Sequence, residues 1–321
     1  MPAETMVLGT RGSELALWQS KFIQSKLSTL FPSITIKLRI IKTLGDKILD
    51  SPLSKIGDKG LFTKEIEKAL LDGTIDIAVH SLKDIPTQVP DGLMIGAITE
   101  REDVGDVFIA HPDKPHIKIS SLPSGAKVAT GSLRRKCQLM HHRPDLEIID
   151  IRGNLNTRMK RLEESDWDGM ILAKAGVMRL GWEERIAEVI PFEVMLPAVG
   201  QGALGIEIRS RDDGVRKKVG TLHDDSTAVG VMGERALLRT LEGGCQIPIG
   251  AYGRKTNGKF RLDALIGSLD GKRIVKGHIT GSPSDSVTLG VQLAEQLIER
   301  GGKEILDSIR TAGQEPLSPE A

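Results

Sequence analysis

Twice along this chain a short apolar strand breaks at a small polar pair and runs into an amphipathic helix. The first unit is MVLGT, Arg11-Gly12 and SELALWQSKFIQSKLSTLF, from residue 6; the second is AKVAT and GSLRRKCQLMHH, from residue 126. A strand that feeds a helix must cover one sheet face with it, which restricts the fold to α/β with mainly parallel, doubly wound sheets. Ser13 suits an N-cap, and Leu15, Leu17, Trp18, Phe22 and Ile23 form an apolar helical stripe that ends before Pro32. ITIKLRIIKT alternates as a strand, FTKEIEKALLDG is a helix closed by Gly73, and IDIAVHS is a short buried strand. LEIIDIR, NTRMKRLEES and WDGMILAKAG repeat the plan in the second unit.

LGTRGSEL is like VATGSLRR, and LLDGTIDIAVHSLKD is like SDWDGMILAKAG. These likenesses suggest two similar lobes, residues 1–99 with 200–221 and residues 104–196. AITERED (97–103) and PAVGQGALG (197–205) would then be a double crossover between them. Two unrelated α/β domains in series fit the pattern as well. From residue 222 the rhythm changes: a helix STAVGVMGERALLRTL, then strands QIPIGAYG, KFRLDALIGS and KRIVKGHIT, then a helix SVTLGVQLAEQLIERG. Turns at Asn257-Gly258 and Asp270-Gly271 make these strands a three-stranded antiparallel sheet in a small α+β domain, 222–311. Residues 312–321 read as a disordered tail, and 45–60, rich in Gly, Asp and Lys, as a mobile loop.

Arginines gather where strands end and helices begin: Arg11, Arg134, Arg135, Arg152, Arg158 and Arg179. Between Gly131 and Arg161 eight Lys/Arg face three Asp/Glu, whereas the whole chain is only +1. Arg134 and Arg135 fall in a first helical turn, where the helix dipole disfavours cations, so an anion resting there would resolve the conflict. Arginine favours planar carboxylates or phosphates. There is no P-loop spacing, and no aromatic accompanies the basic run to stack bases, so a small polycarboxylate fits better than a nucleotide or nucleic acid. The near-neutral charge, the lack of an export signal and the lack of any long apolar run lead to the expectation of a cytoplasmic protein that binds neither nucleic acid nor membrane.

Lys83 and Asp84, in HSLKDIP, follow a buried strand, where a carboxylate can act as acid, base or cation stabiliser; an ordinary turn before Pro86 is the plainer reading. The two cysteines, Cys137 and Cys245, make no disulfide framework or zinc spacing. Cys245 follows two glycines in LEGGCQIPIG, a place suited to a movable thioether anchor or to a small residue buried in a turn.

Eight segments together resemble the porphobilinogen deaminase (hydroxymethylbilane synthase) family. They are LGTRGSELALWQ, GDKGLFTKEIE, DIAVHSLKDIP, TGSLRRKCQ, IRGNLNTR, AKAGVMRLG, PAVGQGALGIE and LEGGCQIPIG, and they run through nearly the whole chain. The resemblance implies two periplasmic-binding-protein-like lobes and a third domain. It implies a dipyrromethane cofactor joined by a thioether to Cys245, to which four porphobilinogen molecules are added with loss of ammonia. Asp84 would be the essential carboxylate. Lys83, Asp84, Thr130, Ser132, Arg134, Arg135 and Arg152 would hold the cofactor; Arg11, Ser13, Arg152, Arg158, Arg179 and Gln201 would bind substrate. A monomer is implied, with the product passing to uroporphyrinogen-III synthase, and no metal. A non-enzymatic two-lobed receptor for small carboxylates and a cysteine hydrolase are the competing readings.

Overall fold

The computed structural model describes residues 4–47, 60–242 and 247–312. Its strands form three sheets. The first joins β1 (Glu4–Thr10), β2 (Ile34–Ile40), β3 (Ile77–Ser81), β4 (Leu93–Ile98) and β10 (Leu204–Arg209) in the order β2-β1-β3-β10-β4. The second joins β5 (Asp106–Ala110), β6 (Lys127–Ala129), β7 (Glu147–Ile149), β8 (Gly169–Ala173) and β9 (Glu188–Val189) in the order β7-β6-β8-β5-β9. In each sheet one strand, β10 or β5, runs antiparallel to both its neighbours, and the remaining pairings are parallel. The fold is therefore α/β with two mainly parallel sheets of matching strand order.

The reversed strands are the ones the chain enters on passing from one sheet to the other. β4 leads through 99–105 into β5, and β9 leads through 190–203 back into β10. The two connections lie side by side: Glu102 N donates to Gly202 O (3.3 Å), and Arg101 Nε donates to Gln201 O (2.7 Å). Gly202 has φ +91, and a Cβ there would collide with Glu102 O, so only glycine lets the connections touch.

Both faces of the second sheet are covered. DVFIA and GMILA are buried at every position, with Phe108, Val128 and Ile171 in one cluster and Val107, Met170 and Leu172 in another. This is why these strands read as unbroken apolar runs, without alternation. In the first sheet Leu8, Ile77, Ile206 and Ile208 pack on Ile23 and Leu27 of α1 (Glu14–Leu30), whose N-cap is Ser13. The helices α2 (Lys64–Leu71), α3 (Leu133–His142), α4 (Leu155–Glu163), α5 (Lys174–Arg179) and α6 (Asp213–Gly220) complete the two lobes.

The third sheet, β11 (Ile249–Thr256), β12 (Lys259–Gly267) and β13 (Ile274–Gly281), is antiparallel throughout. Asn257 (φ 50) and Gly258 (φ 75) form the two-residue turn between β11 and β12. One face packs on α7 (Asp225–Thr240) and α8 (Ser286–Leu297) through Leu237, Phe260, Leu262 and Leu293. A further helix, α9 (Lys303–Ala312), was not expected. Its Ile305 and Leu306 join the same core; Ala312 is its last residue, and 313–321 of the expected tail lie outside the described residues.

Glu234 of α7 joins the parts. Its carboxylate, fully buried, accepts from Arg101 Nη1 (2.6 Å) and Nη2 (3.1 Å) in the first connection, from Gly200 N (2.7 Å) in the second and from Gly253 N (2.7 Å) in β11. A buried ion pair with its remaining valences satisfied fixes geometry more than it adds stability.

Candidate active site

β1 and β3 are parallel neighbours, so the turns at their carboxyl ends lie together. A pocket there is lined by Arg11, Ser13, Gln19, Phe62, His80, Ser81 and Asp84. The Arg11 guanidinium stands 4.2 Å from the centre of the Phe62 ring. Ser13 is occupied as the cap of α1, accepting from Ala16 N at 3.4 Å. Asp84 ends a single 3-10 turn, Leu82–Asp84, and is exposed. His80, which also lines the pocket, has its Nε2 3.4 Å from buried Glu207.

The second lobe presents the equivalent strand ends. β6 leads to Thr130, whose hydroxyl accepts from Ser132 N (3.3 Å), and to Ser132 at the N-cap of α3. Gly131 faces Ile151 O so closely that a Cβ would collide with it. Beyond β7, Arg152 and Arg158 flank the cap of α4, and Arg158 Nε donates to Gly153 O at 2.8 Å. Open α/β sheets bind ligands at such carboxyl ends.

Electrostatics tie the two sets together. Lys83 is exposed. Desolvation lowers its pKa to about 8; the charge of Asp84 opposes this, and Arg135 adds to it. Burial, then Arg135 and Arg152, push Arg158 down to about 10, with Asp150 and Asp84 opposing. Lys83 of the first lobe therefore feels Arg135 of the second, and Arg158 of the second feels Asp84 of the first.

The expected conflict at the start of α3 has an internal solution. Asp106, which opens the apolar strand β5, is fully buried and takes both guanidiniums: Arg134 Nη1 at 2.6 Å, Arg135 Nη2 at 2.8 Å and Arg135 Nε at 3.1 Å. Burial alone would raise its pKa, but Arg134 and Arg135 outweigh this and hold it well below the usual carboxylate range. Gln201 Nε2 donates to the same carboxylate (3.0 Å) and to Val104 O (2.7 Å). Sequence reasoning missed Asp106; its signal was an acid opening the otherwise apolar strand DVFIA, where a charge demands a partner. Arg179 lies elsewhere, at the seam between the lobes. Its Nη2 donates to Gly202 O (2.6 Å) and its guanidinium lies 5.8 Å from the Trp18 ring centre.

The family model "Porphobilinogen deaminase, dipyromethane cofactor binding domain" matches residues 6–217, and "Porphobilinogen deaminase, C-terminal domain" matches 228–299. The chain belongs to the porphobilinogen deaminase family. A curated porphobilinogen deaminase from Chloroherpeton thalassium is 54% identical over 312 residues, 96% of this chain and 98% of that one. Another, from Chlorobium phaeobacteroides, is 53% identical over 309 residues, 95% and 98% of the two chains. Among solved structures, a TRAP periplasmic solute binding protein from Desulfovibrio salexigens aligns at a TM-score of 0.41 and 10% identity, over 69% of this chain and 72% of that one.

The cysteine expected to carry the family's cofactor, Cys245, lies outside the described residues, as does residue range 48–59 of the expected loop. Cys137 is buried, its thiol pKa pushed by burial up to about 12, which makes it inert. Arg134 Nε, Arg152 Nη2 and Gln201 Oε1 are buried without a hydrogen-bond partner. Unpaired buried polar atoms of this kind, two donors and one acceptor, cost about 1–3 kcal/mol each. Carboxylate arms would satisfy the two guanidinium nitrogens, so these residues fit a dipyrromethane bearing acetate and propionate groups.

Proposed function

We propose that this cleft adds four porphobilinogen molecules, one after another, to a dipyrromethane primer held by a thioether to Cys245, with Asp84 as the essential carboxylate. Ammonia leaves at each addition, and hydroxymethylbilane is the product. The observation that carries the reading is exposed Asp84 in one pocket with Arg11 and Ser13, at the carboxyl ends of β1 and β3.

Lys83, Thr130, Ser132, Arg134, Arg135 and Arg152 would hold the primer's carboxylates. When bound, the primer supplies a nucleophilic pyrrole carbon at its free end. Arg11, Ser13 and Arg158 would hold the acids of the incoming pyrrole, Arg152 serving both; Gln201, expected among them, has its amide nitrogen on Asp106 and Val104 and would steady Asp106 instead. Arg179, on the Gly202 carbonyl, would steady the seam between the lobes more than touch substrate. Arg134 and Arg135 act as a unit. Asp106 fixes their orientation from behind, leaving Arg134 Nε for a ligand.

Loss of ammonia from porphobilinogen is driven by its ring nitrogen and leaves a positive charge spread over that ring. A carboxylate beside the ring N–H stabilises the charge as it develops and can carry the proton. Asp84 is the acid in the pocket with Arg11 and Ser13, so it takes this role. Lys83 keeps its proton, and its share of the grip on carboxylates, below about pH 8.

The carboxylate-receptor reading accounts for the arginines but leaves Asp84 and the third domain without a task. The hydrolase reading needs a base for Cys245, and no histidine lies near that residue in the sequence; Cys137 is buried and offers no substitute nucleophile. Among the described residues no helix is long and apolar enough to cross a membrane, and no His/Cys/Asp/Glu group could hold a metal. The proposal includes a cytoplasmic monomer that releases its product to uroporphyrinogen-III synthase. Intact mass after limiting porphobilinogen tests the reaction. The protein should climb in equal steps, one pyrrole at a time; a receptor would show no covalent step.

A further inference from the structure

Arg235 lies on α7, beside Glu234, and is almost wholly buried. It reaches out of the third domain: Nη1 donates to Ile85 O at 3.0 Å and Nη2 to Pro86 O at 2.6 Å. These carbonyls belong to the two residues directly after Asp84. The same turn is held from two other directions. Leu82 N donates to Ala203 O (3.0 Å) in the returning connection, and Ile85 N donates to Leu82 O (3.2 Å) within the turn.

The clamp is an expensive one if stability were all it served. Both hydrogen bonds go to neutral carbonyls, and burial together with Arg239 lowers the pKa of Arg235 to about 10, with Glu207 opposing. Burying a cation without a bonded carboxylate is unfavourable, and an apolar side chain would pack the contact at less cost. What an apolar side chain could not do is fix two successive carbonyls in direction. The helix carrying this clamp ends at Thr240, five residues before Cys245.

We propose that Arg235 is a positioning residue for Asp84, locking the turn that presents the carboxylate to the helix that leads to the primer's anchor. This rests on Asp84 being the essential carboxylate, as proposed above.

The test compares Arg235→Met and Arg235→Lys in the primer-bearing protein, with Met232→Ala, on the exposed side of α7, as control. Arg235→Met should retain the primer mass and the wild-type KM while kcat falls about 10–100-fold, the loss that a displacement of about 1 Å can cause. Arg235→Lys keeps one donor group and should fall between the two, and Met232→Ala should match wild type. Added to Asp84→Asn, Arg235→Met should give no further loss in the rate of a single addition, because both act through one group.

A lower melting temperature with wild-type kcat overturns the proposal, as does an equal fold-loss in both backgrounds. If Arg235→Met does not fold, Arg235→Lys decides: wild-type kcat in that variant overturns it. Normal turnover by Asp84→Asn would sink the underlying reading of Asp84. A dead Asp84→Asn with fully active Arg235 variants sinks only the positioning role.

Discussion

Asp84→Asn should lose turnover by about 10³-fold or more while the protein stays folded and keeps its primer. The magnitude follows from the kind of work assigned to the side chain. Removing one preorganised electrostatic group costs about 10²–10³-fold, and loss of a proton carrier a comparable factor. The amide keeps the size of the carboxylate, and Asp84 is exposed at the end of a short turn, so packing is little disturbed. A rapid-quench measurement of a single porphobilinogen addition, beside a thermal melt, separates chemistry from folding. A normal single-addition rate in a folded variant removes Asp84 from the mechanism.

Asp106→Asn should act in the opposite way, through the fold. Its carboxylate stands between two guanidiniums with negligible exposure. The amide leaves two buried cations without their counter-charge, a change of about 3–5 kcal/mol. That lowers the melting temperature on the order of 10 °C for a body of this size. Arg134 and Arg135 lose their common orientation, so primer should also be missing from the purified variant. The pH dependence has a definite sign. Asp106 titrates lower in the folded protein than in the unfolded chain, so its stabilisation is present above the unfolded value of about 3.9 and is lost as pH falls below it. The gap between wild type and Asp106→Asn should therefore be widest near neutral pH and narrow in acid. A calorimetric series carried from neutral pH to well below about 3.9 checks this; a gap that stays equally large throughout contradicts the ion-pair account.

Local pattern carried much of this architecture. Apolar strands running into capped helices are visible in MVLGT–SELALW and AKVAT–LRRKCQ, and the Asn257-Gly258 turn is a short-range signal. Strand direction is not local. Nothing in DVFIA or LGIEIR shows that these two strands run against their neighbours, because the periodicity of a buried strand is the same either way. The helix over 303–312 escaped notice because Gly301-Gly302 reads as a stop, yet KEILDSIRTA turns Ile305 and Leu306 onto the core.

The site was legible in the same uneven way. Arginines at strand ends could be seen in the sequence, and so could the clash of Arg134 and Arg135 with a helix start. Their partner could not, since Asp106 lies 28 residues before Arg134 and meets it only through the strand order of the second sheet, where β8 alone separates β5 from β6. Arg235 carried no signal either: a basic residue inside an amphipathic helix looks like any solvated charge until the carbonyls it grips are known.

The account depends on a covalent primer at one particular sulfur, and intact mass spectrometry of the purified protein addresses that directly. The wild type should be heavier than its chain by one dipyrromethane. Cys137→Ser should keep the increment, because that thiol is buried and inert. Cys245→Ser should lose it. A wild-type mass equal to the bare chain, or an increment that survives Cys245→Ser and vanishes with Cys137→Ser, would contradict the account.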